Sequence, residues 1–261
     1  MKPFQAIGLC LMSLMFSLWL NSCSSPPSQV ITLNFGGAGM IRSPMKEIED
    51  LYQRDHPNVV INSIFAGSAV IQAAVERGEP FDGVFFADLP PLDKLQAKGL
   101  IVRERRKELL TTDIVAIAPV NSSLQLSDFR ELTSDRIKTV AIGNNNLAMG
   151  RYTHSLLTRL GITQVVESKA VVVKVDVREV LAAVEQGEAE VGITYLSEAK
   201  SSAKVRVLAT APKDSYDPIR ACGALVKASA HAQEMQAYLD FLSSDQAMAV
   251  FEKFGLHTVR S

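Results

Sequence analysis

Short apolar runs alternate with amphipathic segments along most of the chain. Ile31–Phe35, Val59–Phe65, Val84–Phe86, Ile114–Ala118 and Val140–Ile142 read as strands, as do Ala170–Val175, Val191–Tyr195, Val205–Thr210 and Ala224–Val226. Between them apolar residues return at helical spacing. In Pro44–His56 they fall at Met45, Ile48, Leu51 and Tyr52, and Pro57-Asn58 breaks the pattern. Ala69–Arg77, Pro91–Lys98, Arg151–Leu160, Arg178–Gln186, Gln233–Ser243 and Asp245–Phe254 read as helices too. Gly78, Gly99 and Gly161 stop three of them.

This alternation predicts an α/β protein with mainly parallel sheets. Two βαβ series, 31–110 and 137–210, meet at one long extended segment, Leu110–Pro119, and the chain returns through 211–226 to two closing helices. The expectation is a two-lobed architecture. One lobe would hold 30–112 plus 213–261 and the other 113–212, with two crossings between them. Open α/β sheets bind ligands at the carboxyl ends of their strands, which here would face the cleft.

The N-terminal stretch has a different character. Lys2 precedes a run from Phe4 to Leu20 that carries no charge, which is short for a membrane span. Leu20-Asn21-Ser22-Cys23 follows, then a Ser/Pro stretch. A charged start, a short apolar core and a small residue before a cut describe a secretory signal over residues 1–22. The Cys at the cut resembles the lipobox of bacterial lipoproteins. That implies a lipid on the Cys23 thiol, a flexible tether over 23–29 and a body outside the cytoplasm, in the periplasm or on the outer face of the membrane. An uncleaved anchor and soluble secretion are the other two readings of this segment.

Composition narrows the chemistry. In 261 residues, 27 basic and 28 acidic side chains nearly cancel, so neither a nucleic-acid surface nor a polybasic membrane surface is expected. Of three Cys, Cys10 leaves with the signal and Cys23 is consumed by lipid, so Cys222 stands alone as an inert core thiol. The four His (His56, His154, His231 and His257) are scattered, with no metal-ligand spacing. No cofactor and no directly bound metal is expected, and the body is expected to be a monomer.

Four strand-to-helix corners carry the functional signal. They are Phe35-Gly36-Gly37-Ala38-Gly39-Met40, Phe65-Ala66-Gly67-Ser68, Gly143 through Gly150, and Val175-Asp176-Val177-Arg178. Each sets small or flexible residues ahead of a helix, where free N–H groups and the positive dipole end make an anion site. The first corner lacks the Gly-Lys-Ser/Thr of a P-loop and the third Gly of a dinucleotide fingerprint, and no Gly-x-Ser-x-Gly elbow exists. No nucleophile–base pair can be named, so an enzyme is not expected. Each chosen residue also has a plain reading: Ser68 as a helix N-cap, Tyr195 as a core tyrosine with a satisfied hydroxyl, Asp82 and Asp88 as turn residues. Arg42, Arg151 and Arg178 are either solvent-exposed or aimed at an anion, and Asp176 either neutralises Arg178 or orients its corner.

From about Ile31 to about Thr258 the chain resembles the substrate-binding proteins of molybdate ABC transporters, the ModA family. The stretches that carry this are Phe65-Ala66-Gly67-Ser68, Asp82 to Ala87-Asp88, Gly150-Arg151-Tyr152, Asp176-Val177-Arg178-Glu179-Val180-Leu181, Gly192-Ile193-Thr194-Tyr195 and Phe251-Glu252-Lys253-Phe254-Gly255. The resemblance implies the two-lobed, type II periplasmic-binding-protein fold, closing on a tetrahedral oxyanion, molybdate or tungstate, held by hydroxyls and backbone N–H groups. It implies delivery to an ABC permease. Residue by residue it implies hydroxyl donors at Ser68 and Tyr195 and backbone donors at Gly39, Met40, Met149 and Val177. This chain departs at the first corner, where Ala38-Gly39-Met40-Ile41 replaces the usual serine, and at Ala221-Cys222, which replaces a Tyr-Pro pair. A different oxyanion, an organic anion held partly by Arg42, and an interaction lipoprotein without ligand are the alternatives.

Overall fold

The computed structural model describes residues 30–173 and 176–259. The expected signal, Cys23 and the tether lie outside the described residues. The strands are β1 (Ile31–Ala38), β2 (Val59–Ala66), β3 (Gly83–Phe86), β4 (Lys107–Thr112), β5 (Ile114–Pro119), β6 (Val140–Gly143), β7 (Ala170–Val173), β8 (Val191–Tyr195), β9 (Val205–Thr210), β10 (Ala221–Leu225) and β11 (Leu256–Thr258). The helices are α1 (Arg42–Asp55), α2 (Ser68–Glu76), α3 (Leu89–Ala97), α4 (Ala148–Leu160), α5 (Thr163–Ser168), α6 (Arg178–Glu185), α7 (Leu196–Lys200), α8 (Ala232–Phe241) and α9 (Asp245–Lys253). No helix among the described residues is long and apolar enough to cross a membrane.

The strands form two sheets, ordered β11-β4-β10-β3-β1-β2 and β7-β6-β8-β5-β9. Each is the floor of one lobe of the expected two-lobed, type II fold. The chain passes from the first sheet to the second between Thr112 and Ile114, and returns between Thr210 and Ala221. What read as one extended segment is therefore two strands in different lobes, broken at Asp113. The sheets are mixed rather than mainly parallel. β1 pairs in parallel with β2 and β3, and β6 with β7 and β8. β10 runs antiparallel to β3 and β4, and β5 antiparallel to β8 and β9. The antiparallel pairs involve the strands that carry the chain across: a strand entering a lobe from the other lobe starts where the resident strands end.

Most elements lie within a few residues of their expected limits. The instructive difference is β1, which runs on through Gly36, Gly37 and Ala38 to a 3-10 turn at Gly39–Ile41. Gly36 and Gly37 serve packing rather than a turn. A Cβ on Gly36 would lie 2.6 Å from Ile71 Cγ2, and one on Gly37 would lie 2.5 Å from the Phe65 ring. By contrast Gly78, Gly99 and Gly161 end their helices at φ of 81°, 68° and 71°, where a side chain is strained.

The closing helices return to the first lobe. Tyr238 of α8 meets the Phe35 ring edge-on at 5.5 Å and the Tyr52 ring at 5.0 Å. On α9, Lys253 pairs with Glu47 of α1 at 2.5 Å. The second lobe closes its own core around Val115, Ile117, Val180 and Val184, all buried. Cys222 is buried against β3, and burial pushes its thiol up to about 11, which leaves it unreactive at neutral pH.

Candidate functional site

All six residues implied as ligand contacts, Gly39, Met40, Ser68, Met149, Val177 and Tyr195, line one small cavity between the lobes. The first three come from the first lobe and the last three from the second. The cavity measures about 20 Å³, little more than one water-sized sphere. Its wall also includes Ala38, Ala87, Leu147 and Asp176, which the sequence reading did not assign to a ligand.

Helix starts converge on this space. The 3-10 turn at Gly39, α2 at Ser68, α4 at Ala148 and α6 at Arg178 all begin at the cavity wall; the first three have no side-chain cap bond, and at the fourth Asp176 takes the Arg178 N–H. The first intrahelical bond of α4 is Arg151 N–H to Leu147 O at 3.1 Å, so the three N–H groups ahead of it have no helical partner. Gly150 keeps the preceding loop close: a Cβ there would lie 1.8 Å from Asn144 O.

Two hydroxyls complete the lining. Ser68 is the first residue of α2 rather than its cap, which is Gly67. Its Oγ accepts the Ala87 N–H at 3.2 Å, and its hydroxyl also bonds the Asp88 carboxylate. Tyr195 closes β8, is 1% exposed, and its hydroxyl has no partner. Burial, reinforced by Tyr152 and Asp88, holds that hydroxyl well above the ordinary tyrosine range, so it stays a donor. A buried hydroxyl left unpaired costs about 1–3 kcal/mol, which argues against the plain core reading of Tyr195.

The charged residues form two inter-lobe pairs beside the cavity. Arg42 at the start of α1 pairs with Asp176, and Arg151 of α4 pairs with Asp88, the residue before α3. Neither Arg42 nor Arg151 lines the cavity, and Arg178 is exposed. Asp176 does not neutralise the Arg178 side chain; its Oδ1 accepts the Arg178 backbone N–H at 3.0 Å and orients that corner. Burial raises the Asp88 carboxyl although Arg151 opposes it. Asp82 is structural: its carboxylate accepts from the Asn34 N–H at 2.8 Å and the Ser229 hydroxyl at 2.6 Å. No cluster among the described residues has the side chains to hold a metal ion.

Two lobes around a small inter-lobe cavity define the architecture of an extracytoplasmic solute-binding protein. Residues 33–257 match the profile of the bacterial extracellular solute-binding proteins, and the chain belongs to that family. YvgL of Bacillus subtilis (strain 168), provisionally named an ABC transporter substrate-binding lipoprotein, is 30% identical over 97% of this chain and 98% of its own. The molybdate-binding protein ModA of Haemophilus influenzae is 31% identical over 85% of this chain and 87% of its own. The solved substrate-binding domain of a provisionally named molybdenum ABC transporter from Clostridium difficile superposes with a TM-score of 0.72, at 29% identity, over 88% of this chain and all of that domain. This chain is a ModA-like substrate-binding protein.

One group near the site was not visible in the sequence. Glu198 on α7 is 1% exposed, and its Oε2 has no partner; burial raises its carboxyl to about 7, against an opposing pull from Arg178. An unfolded glutamate titrates near 4.5, so the folded form binds the proton more tightly. Stability should therefore fall as pH rises from about 4.5 through about 7. The difference for this group is roughly 3 kcal/mol. Denaturant unfolding at pH 5 and pH 8 should show Glu198→Gln losing less stability than the unaltered protein over that interval. Superimposable pH profiles would contradict this assignment.

Proposed function

We propose that this protein captures a tetrahedral oxyanion outside the cytoplasm, with molybdate or tungstate favoured, and delivers it to an ABC importer permease. The observation that carries the reading is the unpartnered, fully buried Tyr195 hydroxyl in a cavity ringed by helix starts. An anion there receives fixed dipoles without any cationic side chain. The small volume favours an inorganic ion over an organic anion, whose pockets usually run to hundreds of Å³. We place the lobe boundaries at residues 112/113 and 212/213, so that the lobes close about two hinges on the ligand.

Ligand saturation at 100 times Kd adds about 2.7 kcal/mol of stability, which for a chain of this size raises the melting temperature by roughly 5–10 °C. Calorimetry should show such a rise with molybdate or tungstate and little with phosphate. Ser68→Ala and Tyr195→Phe should each cost about 1.5–3 kcal/mol of binding by removing a donor from a buried anion. A rise with phosphate and none with either metal oxyanion would overturn the ligand assignment.

The same proposal includes a lipid on Cys23, supported by Ser22-Cys23 after a short apolar run and by likeness to a relative named as a lipoprotein. Mass spectrometry of the mature protein should find a modified N-terminal Cys23. An intact N-terminus with a free Cys23 thiol would contradict it.

A further inference from the structure

An anion site gains nothing from a carboxylate in its wall, yet Asp176 is there. Its Oδ1 lies 2.9 Å from where a Cβ on Gly39 would sit, which puts the carboxylate against the first corner as well as the fourth. Both oxygens are engaged. Oδ1 accepts the Arg178 N–H at 3.0 Å, and Oδ2 accepts from Arg42 Nη2. The Arg42 guanidinium is fixed on its own lobe: the same Nη2 donates to Phe65 O at 3.0 Å, and the group lies over the Phe65 ring, 5.8 Å from its centre. The other charged groups whose fields meet around this carboxylate are Arg178 on the same corner and Glu198 on α7.

We propose that Arg42 is a specificity-determining residue that masks Asp176. The pair removes from the cavity wall both a negative charge and a free hydrogen-bond acceptor. A fully deprotonated oxyanion is then not repelled. An oxyanion that carries a proton meets a carboxylate whose oxygens already accept from Arg42 and from the Arg178 N–H, so Asp176 is a poorer acceptor for that proton than an unpaired carboxylate would be. The principle is the one by which a site's unpaired polar groups reject an analogue more strongly than its apolar contacts do. Without Arg42, Asp176 Oδ2 would be open to accept that proton and to repel molybdate, tungstate or sulfate. Arg42 acts through Asp176 and not by touching the ligand.

This inference rests on the oxyanion reading, and the test separates the two. Calorimetric affinities for molybdate, sulfate and phosphate would be measured at pH 7 for the unaltered protein, Arg42→Gln, Arg42→Lys, Asp176→Asn and the double variant Arg42→Gln/Asp176→Asn. Arg42→Gln is expected to shift the molybdate-to-phosphate and sulfate-to-phosphate affinity ratios at least tenfold toward phosphate. Arg42→Lys, which keeps the charge, should shift them less. The double variant should recover the original ratios, because the carboxylate that needed masking is gone. If Arg42→Gln weakens all three anions equally, or does not fold while Asp176→Asn alone shifts the ratios toward phosphate, the masking role is overturned and the oxyanion reading stands. If the unaltered protein binds none of the three, both are overturned.

Discussion

The close meeting of the two lobes depends on the absence of a side chain at Gly39. A Cβ there would lie 2.8 Å from Val177 Cγ1 and 2.9 Å from Asp176 Oδ1, both on the opposite lobe. Real Cβ atoms do not approach other heavy atoms so closely in a well-packed interior. With hydrogen alone at that position, the first and fourth corners become two sides of one wall. The helix starts behind them then point into the same small space. The inter-lobe pairs Arg42–Asp176 and Arg151–Asp88, and the Tyr152 hydroxyl donating to Ala87 O at 3.4 Å, all span the contact that Gly39 permits.

What this contact encloses is unfinished as a protein interior. Buried polar groups in folded proteins nearly always find partners. Here the Tyr195 hydroxyl has none, and neither do Thr194 Oγ1, Ser197 Oγ and Glu198 Oε2 close by in sequence. Glu198 lessens the cost by holding its proton up to about 7. Tyr195 has no such route, since it is already neutral. In the proposed function an acceptor from outside the chain satisfies it, and a tetrahedral oxyanion offers acceptors in several directions at once. On the same proposal, the dipoles within each lobe belong to the fold and need no local rearrangement when the anion arrives.

The alternation of runs and amphipathic segments made the two-lobed fold legible, because strands and helices differ in period and each lobe repeats the unit. The small residues ahead of helices marked the corners for the same reason, and all six residues taken from the family resemblance fall on one cavity. Other features were not legible. Gly36 and Gly37 look like a loop in one dimension, and only the neighbouring Ile71 and Phe65 explain them as strand. A lobe boundary at 112/113 was expected, but Leu110–Pro119 read as one segment and not as two strands, because the apolar pairs on either side of Thr111-Thr112-Asp113 are both buried. Asp88 and Arg151 are 63 residues apart, and Arg42 and Asp176 are 134 apart; pairing across a cleft leaves no local signature. The mixed sheets followed from the two crossings, whose direction the periodicity does not encode.

The central claim is that Tyr195, Ser68 and the corner N–H groups hold one oxyanion between the lobes. Crystals grown with tungstate, measured at a tungsten absorption edge, test it most directly. The account expects one strong anomalous peak inside the cavity, with oxygens in hydrogen-bond range of Tyr195 Oη, Ser68 Oγ and the backbone N–H groups of Met40, Met149 and Val177. A cavity occupied only by water, or a peak held elsewhere by surface lysines, would contradict it.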